Sequence, residues 1–239
     1  MLLARLRIRW SLCFLALAYA SGGCLSTQRG GDIIHPAKSL PSTTPWNLSD
    51  LSQPPYFEWL DREGHVRSLH YQGRAYKGKP TRVFAYYATP AALTGESVQD
   101  HSLPAVVLVH GGGGTAFTEW VELWAKRGYA AIAMYLAGCG PDRKRLSDGG
   151  PDQGGQEKFG AIDLPSGNQW TYHAVADVIL AHSLIRSFRE VDANRTAVTG
   201  ISWTGRVCLH ALSASASFHQ PRRMKLQSGF SPSATGGEQ

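Results

Sequence analysis

The chain has 239 residues, 43% of them hydrophobic and 18% charged, with four cysteines and a formal net charge of +6. That length suits one globular domain with at most a small appendage, and the composition excludes disordered, collagen-like and membrane-spanning classes. The charge does not mark a nucleic-acid binder. Arg5, Arg7 and Arg9 supply +3, and residues 204–239 supply another +3 (Arg206, Arg222, Arg223 and Lys225 against Glu238), which leaves the stretch between them neutral. A nucleic-acid partner is therefore not expected, because such proteins carry their basic excess on the folded body.

Residues 1–20 read as a signal peptide: a basic start, then the apolar run Trp10–Ala20, too short to span a bilayer. The run ends in Ala18-Tyr19-Ala20, the small-x-small pattern of a secretory cleavage site. Export to the periplasm or the extracellular space is the expectation. Ser21-Gly22-Gly23-Cys24 resembles a lipoprotein box, although Ser21 stands where leucine is usual. Membrane attachment is expected only if Cys24 is lipidated. Cys13 leaves with the signal, so Cys24, Cys139 and Cys208 remain; an oxidising compartment would allow the last two to pair. No Cys and His residues fall at zinc-ligand spacing, so neither a structural metal nor a cofactor is predicted.

Residues 21–55, rich in Ser, Thr, Pro and Gly, read as a linker. Two β-like runs follow, Val66–Tyr71 and Arg82–Ala88, separated by the polar Lys77-Gly78-Lys79-Pro80, which predicts antiparallel strands. Ala105–Val109 is continuously apolar, as in a strand buried on both faces. His110 and four glycines come next. Phe117, Trp120, Val121 and Trp124 then recur on one helical face, Gly128 stops that helix, and Tyr129–Tyr135 is another apolar run. This is a strand–helix–strand unit of a parallel sheet.

Residues 137–168 form a long Gly, Asp and Pro loop, of a length that usually has a task such as lining a site. Asn168 is the expected N-cap of a helix whose apolar face is Ala174, Val178, Ala181, Ile185 and Phe188, with Asp177, Arg186 and Arg189 pointing elsewhere. Asp192-Ala-Asn194 reads as a turn and Thr196–Thr199 as a short strand running into Gly200-Ile201-Ser202-Trp203. The fold class is three-layer α/β.

A serine at a sharp strand-to-helix turn is where nucleophilic acyl transfer can be built. Such a turn exposes the Ser202 hydroxyl above the sheet and aims the next N–H, that of Trp203, at the incipient oxyanion. The glycines after His110 follow an earlier strand, where a second backbone donor is needed. They lack the spacing of a nucleotide-binding loop. Donors fixed before the reaction stabilise charge that appears only in its transition state.

With these motifs in hand, residues from about Tyr56 to Trp203 resemble the secreted acetyl xylan esterase and dienelactone-hydrolase-like group of the α/β-hydrolase superfamily. The passages that carry the resemblance are Tyr76–Ala85, Pro104–Gly114, Trp170–Ile185 and the elbow Thr199–Trp203. It implies an α/β-hydrolase domain over residues 56–203 and a serine carboxylesterase acting on small-molecule or acylated carbohydrate esters. Ser202 would be the nucleophile, with Gly111, Gly112, Gly113 and Trp203 as oxyanion donors. His173 and His182 receive no catalytic role and are expected to be packing or surface residues.

The pattern breaks after the elbow. The family order is Ser, acid, then His, yet no Asp follows Ser202, the sole later acid is Glu238, and His210 and His219 both precede it. His210 would sit roughly 12 Å along a continuing helix, beyond the reach of a general base. Thr204 replaces the glycine usual two residues after the serine, a β-branched side chain at the tightest point. Residues 204–239 read as a divergent tail without strand-like runs. The expectation is a fold incomplete at its C-terminus, truncated or frame-shifted after Trp203, with inefficient turnover; a real but divergent C-terminus is the other reading. Two further functions stay open: a prolyl-oligopeptidase-like serine peptidase and a non-catalytic hydrolase fragment.

Overall fold

The structure is a computed structural model that describes residues 44–95, 100–154, 158–202 and 204–214. The signal peptide, Cys24, Trp203, His219 and Glu238 lie outside the described residues. A six-stranded sheet runs in the order β1-β2-β3-β5-β4-β6. The strands β1 (Phe57–Asp61), β2 (Arg67–Gln72) and β3 (Arg82–Ala88) form an antiparallel meander, as the two apolar runs predict, with β1 added. Strand β3 joins antiparallel to β5 (Ala130–Met134), and β4 (Leu103–Val109) lies parallel between β5 and β6 (Val191–Gly200).

The period-two geometry of a strand deals successive side chains to opposite faces. Val107, Val109, Ile132 and Met134 enter one core, while Val106, Leu108, Ala131 and Ala133 enter the other. This double burial is why β4 and β5 are apolar without alternation. Helix α3 (Thr118–Ala125) covers the second core with Val121 and Ala125. Helices α4 (Trp170–Arg186) and α5 (Thr204–Ala214) cover the first. Gly128 ends the turn after α3 at φ +86. The short α2 (Pro90–Thr94) completes the β3–β4 connection.

Four expectations need correction. The linker assigned to residues 21–55 does not hold for 44–55, which carries a short helix α1 (Leu48–Leu51) docked on α4. The Ser183 hydroxyl donates to the Leu51 carbonyl (2.7 Å), and the Trp46 indole donates to that of Tyr172 (3.0 Å). Asp177 is not on a solvated face either: it is 6% exposed, its backbone carbonyl accepts from the Tyr71 hydroxyl (2.9 Å), and its Oδ1 lies beside Gly73 at the end of β2. Burial pushes its carboxyl up to about 8, and Oδ1 has no hydrogen-bond partner among the described residues. Asn168 is not the N-cap; it ends a 3-10 turn (Ser166–Asn168), and Gln169 precedes the helix. The turn read at Asp192–Asn194 is absorbed into β6, whose register against β4 jumps from Leu103↔Val191 to Ala105↔Thr196.

Cys139 and Cys208 are both free and buried, one in each core, so they do not pair. Residues 204–214, placed in the tail by sequence, form α5, which sets Val207, Cys208 and Ala211 into the first core.

Candidate active site

The parallel strands β4 and β6 end side by side, with Val109 opposite Gly200. The Ile201 N–H donates to the Val109 carbonyl (3.2 Å), and then the chain turns sharply. Ser202 takes φ +63, in the left-handed region, and its side chain is exposed. Lys77, Ser102 and Arg143 share that backbone region, so conformation alone does not single Ser202 out. Position does: it stands between the end of the parallel strand β6 and the first turn of α5.

The turn is held from below. Thr204 is fully buried, and its hydroxyl donates to the Ile201 carbonyl at 2.5 Å, with the Val109 carbonyl 3.3 Å away. The Gly205 N–H donates to the Ser202 carbonyl (3.1 Å). The β-branched residue is thus accommodated because its hydroxyl satisfies a turn carbonyl. The tight approach falls on Gly200 instead, where a Cβ would stand 2.7 Å from the Cys208 sulfur and 3.1 Å from Thr204 Oγ1.

The glycine run sits against this elbow. A Cβ on Gly111 would lie 3.2 Å from the Ile201 carbonyl oxygen and 3.4 Å from Ser202 Cβ. His110 fastens the base of the run. Its Nε2 accepts from the Leu136 N–H (3.0 Å), so the proton is on Nδ1, which donates to the Gly111 carbonyl (2.8 Å). Burial holds this imidazole below its ordinary value. Gly113 takes φ +69 and its N–H donates to Gln153 Oε1 (3.3 Å), while the Gly114 N–H closes a turn onto the Gly111 carbonyl (3.2 Å). Among the described residues nothing accepts from the N–H groups of Gly111 or Gly112.

Of the residues singled out by sequence, Ser202 and Gly111 meet directly. The N–H of Gly113 is engaged by Gln153, and Trp203 lies outside the described residues. Gln153 itself was not singled out; the length of loop 137–168 was the only signal in the sequence. No described side chain hydrogen-bonds the Ser202 hydroxyl. His210, two turns along α5, lines a cavity of about 600 Å³ with Trp46, Trp170 and Tyr172, whose wall does not include Ser202. His173 and His182 are both buried. Nε2 of His173 donates to the Gly167 carbonyl (2.8 Å), and Nε2 of His182 pairs with the Thr196 hydroxyl (2.8 Å). Desolvation takes His182 down to about 3. These are packing positions on α4. Among the described residues, no three His, Cys, Asp or Glu side chains gather as metal ligands.

The family model for acetyl xylan esterase (AXE1) matches residues 59–223, more than two thirds of the chain. It extends past the elbow at which the motifs read from sequence end. Among solved structures, the chain is similar to an acetyl xylan esterase from Paenibacillus sp. R4, at 26% identity and a TM-score of 0.52, over 72% of this chain and 54% of that one. It is also similar to acetyl xylan esterase 1 from Thermoanaerobacterium sp. JW/SL YS485, at 19% identity and a TM-score of 0.51, over 70% and 51%. The chain therefore spans about half the length of these solved relatives. No curated protein matches it significantly. With a sheet, an elbow and a glycine loop that follow the α/β-hydrolase plan, and a family match across most of its length, the chain belongs to the acetyl xylan esterase family.

Proposed function

We propose that the chain is an exported serine hydrolase of carboxylesterase type, acting on acylated carbohydrate esters through an acyl-enzyme on Ser202. The observation that carries this reading is the exposed serine at φ +63, packed beside a glycine run whose Gly111 and Gly112 N–H groups have no acceptor among the described residues. Unspent backbone donors beside a nucleophile are what an oxyanion requires. Family membership supports the ester chemistry, and the names of the solved relatives support acetylated xylan as the substrate class. The basic start followed by the apolar run ending at Ala20 supports export.

In this reading, Ser202 Oγ forms a bond to the ester carbonyl carbon as its proton passes to a water molecule, and the carbonyl π electrons move onto oxygen. The N–H groups of Gly111 and Gly112, joined by that of Trp203, stabilise the oxyanion. Collapse expels the alcohol oxygen, which takes a proton, and leaves an acyl-enzyme. Water then attacks the acyl carbon, releasing acetate and restoring the serine. His210 is not the base for these transfers, since it stands roughly 12 Å along α5 from the elbow.

A fluorophosphonate probe tests the nucleophile. The intact protein is expected to take up one phosphonyl group, mapped to Ser202 by mass spectrometry, and Ser202→Ala none. Equal labelling of both proteins, or none of the parent, would sink the proposal. Acetyl esters set against short peptides then separate the esterase from a peptidase.

A further inference from the structure

Gln153 belongs to the long loop after β5, a segment braced at several points. Its early part folds back on itself: the Arg145 guanidinium donates to the carbonyls of Ala137 and Gly150 (2.7 Å for the latter). The Arg82 side chain pairs with Asp148 at 2.5 Å, and the Arg82 N–H donates to the Asp148 carbonyl (2.9 Å), so strand β3 anchors the loop. Three residues beyond Gly150, Gln153 is only 6% exposed.

From that position its Oε1 receives the Gly113 N–H at 3.3 Å. A run of four glycines is the costliest backbone to hold still, because each has the widest range of conformations to lose. Gly113 has nothing within 4 Å of where a Cβ would be, so neighbouring atoms do not wedge it at φ +69. The bond to Gln153 and the Gly114–Gly111 turn are what tie this part of the run. The Gln153 Nε2 is buried and has no acceptor among the described residues. A buried amide donor left unpaired costs about 1–3 kcal/mol and calls for an explanation.

We propose that Gln153 is a positioning residue for the oxyanion loop. Its carbonyl oxygen fixes Gly113 and so sets the N–H groups of Gly111 and Gly112, while its unpaired amide presents a positive dipole end beside the place where negative charge develops. This rests on the reading of Ser202 and the glycine run as an acyl-transfer site.

Two variants divide the roles. Gln153→Leu removes the acceptor and the dipole together. Gln153→Glu is nearly isosteric and keeps an acceptor for Gly113, but it replaces the dipole with a negative charge. Hydrogen exchange of the amides at 111–114, measured on the whole chain with melting curves as a folding control, is expected to quicken about tenfold or more in the Leu variant and to stay near the parent rate in the Glu variant. Phosphonylation of Ser202 by the fluorophosphonate probe, with loss of fluoride, is expected to slow about tenfold or more in both, through the maximal rate rather than the half-saturating concentration. In the Glu variant it should recover as pH falls and the new carboxyl protonates, a dependence that a purely structural role would not produce.

Unchanged exchange in Gln153→Leu overturns the proposal, as does parent-like phosphonylation in both variants. A parent chain that takes no label sinks the reading of Ser202 instead, while the exchange comparison still decides whether Gln153 holds the loop.

Discussion

Two turns leave the same edge of the sheet from adjacent parallel strands, and they solve the same steric problem differently. The turn after β4 places a glycine, Gly113, in the left-handed region at φ +69; the turn after β6 places a serine, Ser202, there at φ +63. A residue with a Cβ pays about 1–2 kcal/mol for that conformation, and glycine pays nothing. Each turn is stapled from beneath by a buried polar side chain, His110 in the first and Thr204 in the second. The glycine turn is shaped to present backbone, and the serine turn is strained to present a side chain. Backbone strain is tolerated where the surrounding structure over-determines it, and here the Thr204 hydroxyl and the β4–β6 pairing do so.

The largest stability effect should come from filling the tight space below the serine turn. Gly200→Ala would drive a Cβ to 2.7 Å from the Cys208 sulfur, and overpacking of this kind costs about 1–3 kcal/mol. Its counterpart Gly113→Ala meets open space and pays only for its φ, about 1–2 kcal/mol. Denaturant melts of the two variants should rank them in that order. A Gly113 variant as damaged as the Gly200 one would show that the first turn is sterically tight as well.

Next comes the staple under the glycine turn. His110→Ala strands the buried Leu136 N–H and frees the Gly111 carbonyl, for a loss of about 1–3 kcal/mol. The effect carries a pH signature. Burial holds the folded His110 below the 6.5 of the unfolded imidazole. The neutral ring's contribution is therefore fully present above that value and is lost as pH falls through the depressed folded one. The gap between parent and variant stability should be widest at neutral pH and should narrow on acidification. A gap independent of pH would mean that the ring acts through packing alone.

The smallest effect separates strain from function. Ser202→Gly relieves the left-handed Cβ but gives the unfolded chain more freedom, so the net gain should be at most about 1 kcal/mol. It should nevertheless abolish phosphonate labelling. A loss of stability would mean that the serine side chain makes contacts that hold the turn.

Much of the fold was legible as local pattern. Ala105–Val109 and Ala130–Met134 are apolar without alternation because both faces are covered, and the run itself declares this. Phe117, Trp120, Val121 and Trp124 give α3 its face in a single window. The sharp turn at Ser202 was legible for the same reason: a serine between glycine-bearing strand and helix patterns is a feature of a few consecutive residues. Asp177 was misplaced because a helical face is solvated only if nothing else covers it. Tyr71 and Gly73, about a hundred residues upstream at the end of β2, do cover it.

What the sequence determined by itself is the order of β2 to β6 with α3 and α4 between them, the three-layer arrangement and the place of Ser202, since each follows from periodicity and from the conformational limits of neighbouring residues. What only the tertiary structure decided is which groups are spent and which are left over. Gly113 gives its N–H to a glutamine 40 positions away, Gly200 rather than residue 204 carries the close contact, and Cys139 and Cys208 fall in opposite cores. Each of these depends on distances between segments remote in the chain. A hydrogen bond or a clash is set by separation in space, which no local pattern encodes.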